Sequence, residues 1–332
     1  MKILVTGATG FVGNVLLKKL PVFFPGAQVS AFVLPEDPFK RSLSQWDGVQ
    51  IIEGDISDRK DVWDAVEGHT HVIHLAGLIS YRMRDKEDLM DVNTRGVENI
   101  VDACRGHGIR KLIHISSVGA CGFHKDGRLA DEQTPFNWPS YFHYMISKHE
   151  GQIIAERAGR NNELQTVILL PASIMGPGDP NPATPHNKLY ERIYKKGLFG
   201  CFSGGLAVVD VRDLVEIILK ALELPIHGEK YLVIGANVEY ADVVKAIAGH
   251  AGKKAYPFPL PGFLLSLAGG LLEFVGRITG RKPLLTYSYG RLSGWKVYYS
   301  NDKSREDFGH RYRPFGETIA DSCRYFEENF LD

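Results

Sequence analysis

Cysteine is scarce in this chain, with four in 332 residues, and Cys104, Cys121, Cys201 and Cys323 stand too far apart to form a C-x-x-C pair. That spacing argues against a zinc site and a disulfide framework, and it fits a reducing, cytoplasmic setting. Neither sign of charge is in excess: lysine plus arginine and aspartate plus glutamate both total 39. A basic surplus for nucleic acid and an acidic tail are both missing, so a small neutral or weakly charged molecule is the expected partner. The first residues run from Met1 to Val5 straight into a glycine turn, too short a stretch for a signal peptide. No segment reaches the ~20 apolar residues of a membrane span. The nearest, Phe263 to Ile278, is interrupted by Gly269, Gly270 and Glu273, and is expected to be a buried or pocket-covering helix. Repeats and low-complexity runs are also missing. What remains is an ordinary globular composition, 44% hydrophobic and 23% charged, long enough for one large or two closely joined domains.

The informative stretches alternate strand and helix. Lys2 to Val5 is apolar and ends in Thr6-Gly7-Ala8-Thr9-Gly10-Phe11-Val12-Gly13, after which a helical pattern begins at Asn14. Glycines in a strand-to-helix turn let the backbone approach a pyrophosphate, and the helix start offers it free N–H groups. By itself a glycine triplet means only a tight turn; at the first junction of an alternating chain it points to nucleotide binding. A second strand is expected over residues 28 to 34. Its end carries neither the usual acid nor the usual arginine, but Glu36-Asp37 and Lys40-Arg41 follow. Either pair could reach the cofactor ribose, so NAD and NADP both stay open, with a slight preference for NADP. The third strand, from Val49, ends at Gly54-Asp55-Ile56, where Asp55 could cap the next helix or contact the adenine. The fourth, His71 to Gly77, brings Leu75, Ala76 and Gly77 to the crevice, with His74 read as a core histidine. A helical pattern covers residues 89 to 108 and contains Asn93. The fifth strand, Lys111 to Ile115, delivers Ser116 and Ser117, and a sixth runs from Leu164 to Pro171.

Between the fifth and sixth strands lies Tyr144-Met145-Ile146-Ser147-Lys148. Residues at i and i+4 share a helix face. A lysine beside a phenol should lower the phenol's pKa and let it exchange a proton near neutral pH. A second such spacing, Tyr299 to Lys303, spans an apparent turn and carries no such implication.

Taken in order, the glycine turn, Gly54-Asp55-Ile56, His74 to Gly77, Val92-Asn93, Ser116-Ser117, Tyr144 to Lys148, Pro171 to Asp179 and Val209-Asp210-Val211 resemble an extended short-chain dehydrogenase/reductase of the NAD-dependent epimerase/dehydratase family. The likeness is greatest to its dihydroflavonol-4-reductase-like and 3β-hydroxysteroid-dehydrogenase-like branch, and it extends to residues 280 to 286. The resemblance implies an α/β fold, a doubly wound parallel sheet (Rossmann fold) with a smaller, mostly helical C-terminal substrate lobe. Residues 1–177 would bind the nucleotide, with returns to the main sheet near 207–235, and residues 178–206 and 236–332 would form the lobe. In the lobe the composition turns to proline, glycine and aromatics, with Tyr190, Tyr194, Phe199 and Phe202 near Gly204-Gly205. It further implies a cofactor site made of Thr6, Gly7, Thr9, Gly10, Phe11, Val12, Gly13, Asp55, Ile56, Leu75, Ala76, Gly77, Asn93, Ser116, Tyr144, Lys148, Pro171 and Ser173. Tyr144 is then the acid/base and Lys148 its partner. Ser117, with Ser116 as the alternative, polarises the substrate oxygen. A homodimer through the helices bearing Asn93 and Tyr144 is expected.

The sequence departs from the sugar-nucleotide members of that family. Ser116-Ser117-Val118-Gly119 replaces the Thr-Asp-Glu of dehydratases, and Leu170-Pro171-Ala172 lacks their arginine before the proline. Arg192 and Arg212 are the candidates for a diphosphate clamp. These departures favour hydride transfer between NAD(P) and an uncharged ketone, aldehyde or secondary alcohol. A nucleotide-sugar epimerase with tightly held NAD and a non-catalytic nucleotide sensor are the alternatives.

Overall fold

The computed structural model describes residues 1–331 apart from 47, 162, 163, 281, 282 and 284. Arg281, Lys282 and Leu284, part of the stretch that carries the resemblance, therefore lie outside the described residues. In chain order the first half contains β1 (Lys2–Thr6), α1 (Phe11–Phe23), β2 (Gln28–Val33), β3 (Val49–Glu53), α2 (Arg59–Val66), β4 (His71–His74), α3 (Lys86–Met90), α4 (Gly96–Gly106), β5 (Lys111–Ile115), β6 (Asp126–Ala130) and α5 (His143–Arg160). The second half begins with β7 (Gln165–Pro171), β8 (Ser173–Met175), α6 (Pro185–Lys196), β9 (Leu198–Phe202), β10 (Gly205–Asp210), α7 (Val211–Glu223), β11 (Glu229–Val233), β12 (Ala236–Glu239) and α8 (Tyr240–His250). It ends with β13 (Ala255–Leu260), α9 (Gly262–Thr279), α10 (Tyr287–Leu292), β14 (Lys296–Tyr299), α11 (Asp302–Asp307) and α12 (Phe315–Phe330).

Seven parallel strands form the main sheet in the order β3-β2-β1-β4-β5-β7-β11. The order reverses between β1 and β4, which opens a crevice at the carboxyl ends of the strands, where ligands of doubly wound sheets bind. Central strands covered on both faces should read as unbroken apolar runs. Ile3, Leu4 and Val5 in β1 and all five residues of β5 are buried, as that requires. β4 stops at His74, earlier than expected, because Leu75 to Gly77 leave the sheet to line the crevice.

A second sheet, ordered β12-β10-β14-β6 with β8 beside β10, stands apart from the first. It corrects two expectations. Residues 207–210 do not return to the main sheet but pair with β8, β12 and β14; the returning elements are α7, packed against α1, β5 and β7, and edge strand β11. In addition β6, from the segment assigned to the nucleotide domain, pairs with β14.

The apolar helix expected to be buried or to cover a pocket is α9, and it is mostly exposed. Its buried residues are Ser266, Gly269 and Gly276, while Phe263, Leu267 and Ile278 are 59%, 68% and 72% exposed. Backbone proximity explains the orientation. A Cβ at Gly269 would lie 2.3 Å from the Thr286 carbonyl oxygen, and one at Gly290 would lie 2.5 Å from the Leu265 carbonyl carbon. Small residues therefore face α10, and the large side chains point out.

Candidate active site

Tyr144 and Lys148 lie one turn apart near the start of α5, both buried. Burial raises the Tyr144 phenol above its ordinary value of 10.0, and a hydrogen bond with Ser117 opposes that rise. Lys148 does not lower the phenol as its spacing suggested. Its Nζ donates to the Ile115 carbonyl oxygen at 3.0 Å, and burial brings its own pKa down from 10.5 to about 8. The two serines after β5 have different surroundings. The Ser116 hydroxyl donates inward to Gln152 Oε1 at 2.8 Å. Ser117 is half-buried, accepts from the Gly119 N–H at 3.1 Å, and meets Tyr144. The other tyrosine-lysine pair diverges: Tyr299 donates to the Val118 carbonyl oxygen, and Lys303 pairs with Glu229.

Asn93 holds α5 in place. It sits in a π-helical turn, Asp91–Arg95, between α3 and α4, a feature that often marks functional positions. Asn93 Oδ1 accepts from the Leu78 N–H at 2.9 Å, and its Nδ2 donates to the Leu78 carbonyl oxygen at 2.8 Å and to Ser147 Oγ at 3.0 Å. The loop after β4 is thus tied to the helix carrying Tyr144. Gly151 allows this approach, because a Cβ there would fall 2.1 Å from the Asn93 carbonyl oxygen.

The nucleotide end fits the expected cofactor. Gly7 adopts a φ of +65°, and a Cβ there would lie 2.7 Å from Ala76 N, so Gly7 and Leu75-Ala76-Gly77 meet across the switch point. Gly10 precedes α1 without a side-chain cap, and the first turn from Phe11 and Val12 contains no acid. Free N–H groups and positive helix potential therefore face the crevice, which suits a pyrophosphate. Gly13 brings α1 onto Ala8, with only 2.4 Å from a Cβ to the Ala8 carbonyl oxygen. At Gly77 a Cβ would come within 3.5 Å of Lys148 Nζ and 3.2 Å of Asn93 Oδ1, which leaves a cradle beside the lysine.

Several expected cofactor residues instead have structural partners. Thr6 is fully buried and bonds His74 Nδ1 at 2.7 Å. His74 stacks on His114 and stays neutral, its pKa lowered to about 3 by burial and by Lys148. Ile56 packs beneath Gly96. Asp55 folds back on Ser57, accepting from its N–H and hydroxyl, while Asp58 caps α2. Pro171 closes β7, and Ser173 opens β8 with its side chain exposed. After β2, Asp37 folds toward the glycine turn and accepts from the Thr9 hydroxyl at 2.6 Å. Lys40 pairs with Glu53.

Other residues of the crevice carried no motif. Asn14 donates to the Gly178 carbonyl oxygen at 2.8 Å, and the His186 ring, 2.9 Å from Asp179, lies 5.5 Å from that of Phe11. Over the phenol, the Tyr81 ring is 5.9 Å from Tyr144 and 5.1 Å from Tyr289, and Phe202 joins Tyr289 to Tyr240. Of the four lobe aromatics noted in the sequence, Phe202 belongs to this group. Tyr190 and Tyr194 pack on Phe326, and Phe199 is exposed. Arg212 binds Asp210 and Asp321 through three nitrogens, and Arg192 is exposed on α6. Asp213, Glu216 and His310 converge closely enough for a cation, but the Arg313 guanidinium already binds both carboxylates.

Comparison with known proteins gives a consistent picture. Residues 3–235 match the model of the NAD dependent epimerase/dehydratase family. The chain is 28% identical to sterol demethylase protein B of Methylococcus capsulatus, over 99% of both chains. It is 27% identical to a putative dihydroflavonol 4-reductase of Synechocystis, over 98% of this chain and 94% of the relative. With a decarboxylating sterol-4-alpha-carboxylate 3-dehydrogenase of Saccharomyces cerevisiae it shares 26% identity, over 94% and 93%. Among solved structures, gox2253 superposes with a TM-score of 0.83 at 28% identity, covering 99% of this chain and 98% of the other. The fold also matches a Thermus thermophilus UDP-glucose 4-epimerase complexed with NAD, with a TM-score of 0.77 at 24% identity over 98% and 99%.

Proposed function

Because the chain belongs to the NAD dependent epimerase/dehydratase family and is an NAD-dependent enzyme of the extended short-chain dehydrogenase/reductase type, we propose that it interconverts a secondary alcohol and a ketone on a rigid, largely apolar substrate, using NAD(H). The observation that carries this reading is the aromatic wall of Tyr81, Tyr289 and Phe202 above the Tyr144 phenol. Such a wall suits a flat apolar ring system. The names of the relatives, two concerned with sterols and one with a dihydroflavonol, agree with it. A sugar diphosphate would need cations, and Arg212 is already committed to Asp210 and Asp321.

The cofactor supplies the hydride acceptor or donor. Tyr144 exchanges the proton with the substrate oxygen, protonating it in reduction and deprotonating the alcohol in oxidation. Ser117 donates a hydrogen bond to that oxygen, a contribution of about 2–4 kcal/mol to the transition state for donors of this kind. Lys148, anchored by Ile115, would hold the nicotinamide ribose beside Gly77. Asp37 supports NAD over NADP, since a carboxylate beside the glycine turn accepts from ribose hydroxyls and repels a 2′-phosphate.

The test is to follow the absorbance of reduced nicotinamide while the protein meets NAD or NADP and a panel of apolar ring alcohols and ketones. Net cofactor conversion is expected, faster with NAD, and Tyr144→Phe should reduce kcat by roughly 10²–10⁴-fold while NAD still binds. Interconversion of UDP-sugar epimers without net cofactor change would replace this reading with the epimerase one.

A further inference from the structure

We propose that α9 docks the protein on a membrane surface bearing anionic lipid headgroups, lying in the interface without crossing it. Its amphipathicity is opposite to that of a core helix. The buried residues are Ser266, Gly269 and Gly276, whereas Leu264, Leu267, Leu271, Phe274 and Ile278 form an exposed stripe repeating every three or four residues, on one helix face. Rotation cannot bury that stripe, because the glycine contacts with α10 fix the helix at backbone distance. Glu273 adds to the hold by accepting from the N–H groups of Met83 and Tyr287. Eighteen residues span ~27 Å, about a bilayer core, and among the described residues α9 alone is long and apolar enough to cross one. With its inner face attached to the protein it lies flat instead, as interfacial helices do. Tyr256 and Phe258, exposed on the strand leading into α9, extend the apolar surface with aromatic side chains suited to the headgroup level.

Charge complementarity selects lipid over a second copy of the chain. Arg82, Arg84 and Arg277 line one cleft beside the C-terminal half of α9. Asp85 pairs with Arg82 and lies 3.7 Å from Arg84, and Glu273 is engaged by backbone, so the cleft keeps excess positive charge. In a self-paired α9 the stripe would meet itself, and the one acid of the helix faces inward. An anionic bilayer supplies both the apolar phase and the counter-charge. The position also serves the site: α9 supports α10, whose Tyr289 touches Tyr81 above Tyr144.

The experiment is vesicle flotation of the full chain, which needs no substrate and so stands or falls separately from the reading of the reaction. Vesicles of phosphatidylcholine with phosphatidylglycerol should carry the protein upward, less so at high salt and less with phosphatidylcholine alone. The triple variant Leu267→Glu, Leu271→Glu, Ile278→Glu should stay in solution while binding NAD and melting like the parent. Arg84→Glu with Arg277→Glu should weaken flotation on anionic vesicles alone. Parent protein that never floats overturns the proposal, as does a triple variant that floats equally well. A dimer in sedimentation that the triple variant dissociates, with no vesicle binding, would assign the stripe to a second copy.

Discussion

At the residue scale, the contest at Tyr144 is between burial and its neighbours. Burial raises the phenol, and Ser117 opposes it. Lys148 sits with a pKa of about 8, so it changes charge within the working range. Loss of its proton would weaken the proposed hold on the ribose. For ketone reduction, kcat/KM should therefore fall as pH rises through about 8, and Lys148→Arg, which keeps its charge, should move that limb upward. An unmoved limb would mean that another group titrates. Stability has the opposite sign. Between about 8 and 10.5 the unfolded chain keeps a proton that folded Lys148 has lost, so stability rises with pH across that window. Urea unfolding of Lys148→Met should show a flatter rise. The Tyr144–Lys148 pair was visible in the sequence as a spacing. The direction of the Lys148 Nζ was not, because Ile115 arrives from a strand 33 residues away.

At the element scale, the site depends on how closely α5 approaches the π-helical turn at Asp91–Arg95. Apolar periodicity indicated a helix there but could not reveal the extra residue in the turn, which only the hydrogen bonds of Asn93 make evident. Gly151→Ala would place a Cβ 2.1 Å from the Asn93 carbonyl oxygen, a contact that forces α5 outward. Overpacking of this kind costs ~1–3 kcal/mol or more. The expected result is a lower melting temperature together with reduced kcat, since Tyr144 and Lys148 move with the helix; a variant as stable and active as the parent would show that the turn yields instead. The same limit applied to α9. Its apolar residues were read correctly, but which face turns inward depends on glycines in α9 and α10 meeting each other's backbone.

At the scale of the whole molecule, the proposed cofactor cradle draws on distant segments: the glycine turn, Asp37 after β2, Gly77 after β4, and the loop of Gly178 closing on Asn14. A ligand that needs all of them assembled stabilises the fold by mass action, ~2.7 kcal/mol at a hundredfold excess over Kd. NAD should accordingly raise the melting temperature more than NADP at equal concentration, and Asp37→Ser should shrink that difference; equal shifts in the parent would remove the case for NAD. The alternation of strand and helix, the glycine turn, and the position of the serines and tyrosine after β5 were all legible in the sequence, since each rests on local periodicity or on residues a few positions apart. The tertiary structure alone decided three things: that Asp37 is the residue beside the turn, that Tyr81 and Tyr289 cover the phenol, and that α9 presents its apolar face outward. Each is a contact between segments far apart in the chain, and local sequence pattern carries no information about which of them will meet.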